Sequence, residues 1–304
     1  MYFLKRLLAL IPLLLVITFL AFVLVRVAPG GPFDKERAPA SPEIERALKA
    51  KYHLDEPVLK QYARWLRDLL RGDFGASLKY RNHNVTDIIL QGLPVSMALG
   101  ALAFCFAMGI GIPSGVWMAV RRGEAADYSV GLLTILAVCV PGFVVGPLLV
   151  MQLAITWRVF PVALWATPWH AVLPTAALGL FFAGKVARLM RESTTTVLQQ
   201  EFILTARAKG VGDSRLLLRH ALKPALLPVV SFAGPMAADL LTGSFVIENL
   251  FQIPGIGVFL VNSSLNRDYP MVVGLVVLYA VLLLMLNLVV DASYRWLDPR
   301  VKYE

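Results

Sequence analysis

Charged side chains are scarce. Asp, Glu, Lys and Arg together make up 16% of the 304 residues, against 58% hydrophobic. Soluble domains carry about 25% charged residues. The deficit, with a mean hydropathy of +0.67, excludes an ordinary globular domain and points to the polytopic membrane class. Cysteine is nearly absent. Cys105 and Cys139 both fall in apolar runs, which excludes a disulfide framework and a cysteine metal spacing. The four histidines are scattered and no His-Glu-x-x-His occurs, so zinc-peptidase chemistry has no motif to stand on. Gly243-Ser244 lies in an apolar span, but no span offers a histidine as base for that serine. There is no clear internal repeat.

A nucleotide site of its own is missing as well. Gly179-Leu-Phe-Phe-Ala-Gly184-Lys185 approaches a Walker A motif, but Val186 stands where magnesium needs a Ser or Thr. The segment also reads as continuous apolar helix, whose N–H groups are already used and cannot cradle phosphate. Gly179 and Gly184 are expected at close helix contacts, and Lys185 is expected to snorkel toward the cytoplasm. No nucleotide hydrolysis and no metal site are expected in this chain.

What the sequence has is long apolar runs. Crossing a bilayer takes ~20 residues. Leu7 to Val25 is the first such run, longer than a signal-peptide core. Pro12 lies inside it, and Arg26 at its end is expected to snorkel to the headgroups. Five more spans follow: Val95 to Val120, Ser129 to Thr156, His170 to Val186 with a helical extension past Arg191, Ala225 to Ile247, and Met271 to Val290. The pattern predicts an all-α polytopic membrane protein with six transmembrane helices.

Residues 28–93 form the long polar region, with eleven basic and nine acidic side chains. Two amphipathic helices are expected there. One is capped by Ser41 and carries Ile44, Leu48 and Tyr52 on one face. The other is capped by Asp55, carries Val58, Tyr62, Trp65, Leu66 and Leu69, and ends at Gly72. Both are expected to lie on the membrane surface or the bundle. The domain reading is a first helix at 1–27, an extracytoplasmic helical segment at 28–93, a five-helix transmembrane domain at 94–293 and a tail at 294–304.

Charge bias sets the orientation. Lys5, Arg6, Arg121, Arg122, Arg188, Arg191, Arg207, Lys209, Arg215, Arg219, Lys223, Arg295, Arg300 and Lys302 fall on one side, while the short loops of the other side hold only Arg158 and Arg267. The positive-inside rule then predicts both termini in the cytoplasm. The net charge of +9 is thereby a topology signal and implies no nucleic-acid partner.

The same rule puts the most polar stretch between apolar runs, 192–224, in the cytoplasm. It reads as helix, turn, helix. Glu201 opens the first helix, and Arg207 and Lys209 close it in the sense the helix dipole favours. Gly210 and Gly212 stop it. Ser214 is expected to cap the second helix and Pro224 to end it. Small side chains at Ala206 and Ala208 permit close approach by another helix, and Gly210 permits a tight turn.

Asp239 is the deepest acid, about 15 residues or roughly 22 Å into the fifth span. A charge at such depth costs about 3 kcal/mol. It either lines a polar path or bonds to a neighbour such as Thr242 or Ser231. Glu248 and Asp291, the latter one turn before Arg295, are expected at the membrane interfaces. A secondary transporter would show broken helix pairs or a relay of buried acids, and an enzyme would show a clustered catalytic set.

The pattern Glu201…Ala206-x-Ala208-x-Gly210, followed by Leu226-Leu-Pro228, resembles the EAA loop of ABC-importer permeases. Lys51-Tyr-His-Leu-Asp-Glu-Pro57, Gly72-Asp-Phe-Gly75, Arg219 to Pro228, Pro254-Gly-Ile-Gly257, Leu265-Asn-Arg-Asp-Tyr269 and Leu297-Asp-Pro299 extend the likeness over essentially the whole chain. It resembles the B-type permease subunits of oligopeptide and dipeptide importers, with the first and third of these segments leaning to oligopeptide members. The resemblance implies a type I ABC importer permease fold in the inner membrane. It implies that Glu201, Thr205, Ala206, Arg207, Ala208, Lys209 and Gly210 dock onto a cytoplasmic ATPase. It also implies a homologous C-type second permease, two ABC ATPase subunits that hold ATP and magnesium, and an extracytoplasmic peptide-binding protein. That protein would meet residues 28–93 and the loop from Ile253 to Tyr269.

Overall fold

The computed structural model of the chain describes residues 2–27, 55–80 and 83–297, with side chains described from residue 10 onward except at 242–243 and 290–297. The expected Ser41 helix, the Asp291 and Arg295 side chains and the residues after Leu297 lie outside this description. Among the described residues the chain is helical, with a single isolated bridge between Ala76 and Asn84. In chain order the helices are α1 (Tyr2–Val27), α2 (Val58–Leu69), α3 (Val85–Val120), α4 (Ala125–Cys139) and α5 (Gly142–Thr156). They continue with α6 (Pro168–Leu198), α7 (Glu201–Ala208), α8 (Asp213–Ala225), α9 (Leu227–Leu250), α10 (Ile256–Leu265) and α11 (Tyr269–Leu297).

Four helices, α1, α3, α6 and α11, are each long and apolar enough to span a bilayer, and two bent pairs bring the count to six. The expected third span is one of those pairs. α4 and α5 meet at 107°, because Pro141 lacks an N–H and holds Val140 extended. The fifth span is the other, with α8 and α9 meeting at 49°. The second span starts earlier than expected: α3 begins at Val85 and runs 36 residues, roughly 54 Å, with Pro94 inside it. α6 runs 31 residues without interruption, about 46 Å. A capping box between Thr167 and His170, with Pro168 in the first turn, starts it.

The chain divides into two compact units, residues 1–95 with 255–284, and residues 96–254 with 285–303. In the first, α2 lies along α1. Tyr62 and Trp65 pack on Phe22 with ring centroids 5.4 and 5.7 Å away, and the Tyr62 hydroxyl shares a 2.8 Å hydrogen bond with that of Thr18. Three expectations change here. Pro57 precedes α2 as its cap position, in place of Asp55. Val58 is exposed, and Gln61 is buried in its stead, its amide donating to the Glu56 carbonyl at 2.7 Å. Arg26 does not reach outward: its guanidinium sits 3.4 Å from the Phe22 ring centroid and its Nε donates to Gln61 at 3.0 Å, a local partner that offsets desolvation.

A second core of this unit joins Val85, Ile88 and Ile89 of α3, Ile256 of α10, and Met271 and Leu275 of α11. The Gly72-Asp-Phe-Gly75 loop closes over it. Gly72 and Gly75 have φ of 80° and 92°, which side chains resist. Phe74 lies where a side chain at Gly274 would be, 3.0 Å from that position's Cβ.

In the second unit α6 packs against α4, α5 and α9. Small residues set the approach. A Cβ added at Gly179 would lie 2.9 Å from the Ala103 carbonyl oxygen of α3, and one at Gly184 would lie 2.8 Å from that of Thr134 on α4. The Gly179–Lys185 segment is therefore mid-helix and packed on both sides, with Lys185 Nζ 4.2 Å from the Phe181 ring centroid.

Candidate functional site

The elbow between α6 and α9 has a defined geometry. α7 spans Glu201–Ala208 and is anchored by Ile203, which is fully buried. Glu201, Thr205, Arg207, Ala208, Lys209 and Gly210 are exposed, and Ala206 is half-buried. Phe202 and Leu204 are exposed too, at 45% and 54%. The helix stops because Gly210 takes φ 81°, which lets its N–H donate to the Arg207 carbonyl at 3.0 Å and that of Val211 to Ala206 at 3.2 Å. An Arg207–Asp213 ion pair at 3.3 Å ties the two arms together. The Thr205 hydroxyl donates to the Glu201 carbonyl at 2.9 Å.

The second arm departs from expectation. Gly212 is the cap position and Ser214 lies within α8. Pro224 does not end α8, which continues to Ala225. The missing Pro224 N–H removes one helical hydrogen bond, and the preceding Leu216–Ala221 turn is wound as π-helix. α7 packs on that π-wound turn, and α8 packs back on α6.

Just before the elbow, α6 is pinned to α4. Arg191 Nε and Nη2 donate to the two Asp127 oxygens, both at 2.7 Å, and the Gly123 N–H adds a third bond at 3.1 Å. The pair is bidentate, which fixes orientation as well as distance. Sequence reasoning counted Arg191 only as an inside charge and passed over Asp127. The available signal was an acid in the first turn of an apolar helix, which needs a counter-charge.

A second missed acid, Asp268, organises the first unit. It is fully buried and accepts the Ser77 hydroxyl, the Leu78 N–H at 3.1 Å and the Met271 N–H at 3.4 Å. It thereby ties the Gly72-Asp-Phe-Gly75 loop to the Leu265-Asn-Arg-Asp-Tyr269 turn, where Arg267 takes φ 57°.

Asp239 lies on an exposed face of α9 between buried Ala238 and Leu240. Ser231, one expected partner, instead donates to the Leu227 carbonyl at 2.8 Å. The Thr242 side chain lies outside the described residues. Glu248, expected at an interface, is fully buried and accepts the Ser244 hydroxyl at 2.7 Å. Burial is sustained because a hydrogen bond replaces water.

Residues 111–303, which include the elbow, the Asp127–Arg191 pair and α9, match the family described as binding-protein-dependent transport system inner membrane component. The chain belongs to this family. Among its relatives, the oligopeptide transport system permease protein OppB of Haemophilus influenzae is 42% identical over 301 residues, covering 98% of each chain. The dipeptide transport system permease protein DppB of Bacillus subtilis is also 42% identical, over 99% of this chain and 97% of its own length. A structure of the MetNI methionine ABC transporter, in an inward-facing conformation, superposes with a TM-score of 0.57 at 16% identity, over 69% of this chain and 96% of that one, a likeness of fold. This transport-system component is thus an inner-membrane permease with the type I ABC permease fold, related over nearly its whole length to oligopeptide and dipeptide transport system permease proteins.

Proposed function

We propose that this chain is the transmembrane permease subunit of an ATP-driven importer that moves oligopeptides into the cell. In this reading both termini face the cytoplasm. Glu201 to Gly210 dock into a cytoplasmic ATPase, and ATP and magnesium belong to two such partner subunits. A homologous C-type permease completes the path, and an extracytoplasmic binding protein delivers the peptide. The observation that carries the reading is α7 itself. A soluble-facing helix with exposed Phe202 and Leu204 is held by one buried anchor, a glycine turn and an ion pair, which suits a rigid contact surface for a partner.

The physical route from ATP to peptide is mechanical. Closure of the ATPase dimer displaces α7. The Asp127–Arg191 pair sits seven residues before the end of α6, so a push on the elbow is delivered to α4 and α6 together. The spans then rock between inward-open and outward-open. Asp239, exposed on the transmembrane helix α9, is assigned to the polar path, since facing lipid would be costly. Peptide backbones share one chemistry, so the path is weakly selective and the binding protein sets preference. Dipeptides are the second reading, favoured by the equal identity to the two relatives.

The test is co-purification of the ATPase with the tagged permease. Glu201→Lys and Gly210→Pro, the latter incompatible with φ 81°, should each release the ATPase while the permease stays folded. Retention of the ATPase by both, or cysteine labelling of the elbow from the extracytoplasmic face of sealed vesicles, would refute the reading. Uptake of defined peptides with the cognate binding protein then separates oligopeptide from dipeptide cargo.

A further inference from the structure

Two concavities of the second unit share lining residues, and a third lies on the far side of the α4–α6 contact. The first, of about 380 Å³, is lined by Arg122, Arg188 and Arg191 with Glu192, Thr195 and Gln199. The next, of about 430 Å³, shares Arg188 and Arg191, also holds the Asp127 carboxylate bound to Arg191, and is otherwise walled by side chains such as Met118, Tyr128, Leu132 and Ile135. The third, of about 530 Å³, shares Thr134 with the second and is bounded by Leu133, Leu136, Ala137 and Leu180. The first two therefore begin at cationic groups and continue as a mainly apolar groove between α3, α4 and α6.

The charges at the mouth are only partly spent internally. Arg191 is committed to Asp127 through two nitrogens, and its Nη1 makes no hydrogen bond among the described residues. Arg122 and Arg188 have no ion-pair partner within 4 Å among the described residues, although Asp127 attracts Arg122 at longer range. Glu192 contributes one negative charge, which leaves the mouth cationic. Thr195 and Gln199 add neutral donors suited to phosphate oxygens.

We propose that this groove is a binding site for an anionic phospholipid, with its phosphate at Arg122 and Arg188 and an acyl chain along Leu132 and Ile135. A phosphate group is the shared chemistry of a lipid headgroup and a free anion. The apolar continuation favours the lipid, because inorganic phosphate would occupy only the mouth. Basic pockets beside membrane helices recognise anionic headgroups by this means. The mouth adjoins the elbow through Gln199, and the site does not depend on which peptide is carried. Lipid there would brace α4 against α6 beside the Asp127–Arg191 pair.

The experiment uses the purified transporter complex in detergent, with native mass spectrometry of added phosphatidylglycerol, phosphatidylcholine and inorganic phosphate. Phosphatidylglycerol should bind tighter than phosphatidylcholine, and millimolar phosphate should not displace it. Arg122→Gln/Arg188→Gln should weaken phosphatidylglycerol about 25-fold, from roughly fivefold per arginine, and leave phosphatidylcholine unchanged. Arg71→Gln, a charge removed from the other unit, should change neither. If the double variant fails to assemble, Arg122→Gln alone, on an exposed turn, should show the fivefold step. Equal binding of the two lipids, or unchanged phosphatidylglycerol binding in the arginine variants, overturns the proposal. Displacement by phosphate would assign the mouth to a free anion. Loss of the second permease with lipid binding intact would assign the groove to a protein interface. Either result also overturns it.

Discussion

The Asp127–Arg191 pair makes an asymmetric prediction. Its partners differ in what each would leave behind. The Asp127 side chain is 4% exposed and that of Arg191 is 41% exposed. Arg191→Met keeps the apolar stem but strands a buried carboxylate with only the Gly123 N–H at 3.1 Å. Breaking a buried pair in this way costs about 3–5 kcal/mol, and the partial exposure of Arg191 puts the expectation at the lower end, about 3 kcal/mol. Asp127→Asn strands instead a guanidinium that can turn toward water, and the amide oxygen still accepts from Gly123; the expected cost is about 1 kcal/mol. The double variant removes the stranded charge, so it should recover roughly 1–2 kcal/mol of the Arg191→Met loss. For a chain of this size roughly 2 °C of melting temperature corresponds to 1 kcal/mol. Thermal unfolding of the detergent-solubilised permease should then rank the chains as wild type, Asp127→Asn, double variant, Arg191→Met. Equal losses for the two single variants, or a double variant no better than Arg191→Met, would show that burial does not govern this pair.

Other expectations follow from close contacts and placed charges. Gly115→Ala would drive a Cβ into the Ala187 carbonyl oxygen, so it should separate α3 from α6 and destabilise by about 1–3 kcal/mol, while Gly109→Ala, which meets nothing within 4 Å, should be tolerated in the same melting assay. Asp268→Ala removes an acceptor shared by Ser77, Leu78 and Met271; a cost of about 1.5–3 kcal/mol should expose the 72–80 loop to limited proteolysis. Asp239→Asn should reduce peptide uptake without lowering the amount of folded permease, and unchanged uptake would remove this acid from the path.

The apolar runs were legible because membrane insertion is decided by local composition: ~20 apolar residues suffice wherever they stand in the chain. The elbow was legible for a similar reason. Gly210 is needed at φ 81° by a local backbone requirement, and α7 begins at Glu201 as its dipole-favoured acid suggests. The errors fell where an outcome depends on a partner distant in sequence. Arg26 was assigned to headgroups and instead meets Gln61, 35 positions on. Ser214 and Pro224 were read as helix boundaries, whereas tertiary packing of α8 on α6 and α7 carries that helix through both.

The sequence by itself determined the all-helical membrane class, the spans and the position of the elbow, since hydropathy summed over ~20 residues and glycine backbone preference are both properties of contiguous chain. Only the tertiary structure decided that Asp127 clamps Arg191, that Asp268 gathers a loop 190 residues away, and that the arginines open onto an apolar groove. Each of those outcomes requires the ends of different helices to meet. Packing and desolvation decide which ends do so, and neither is written in local spacing.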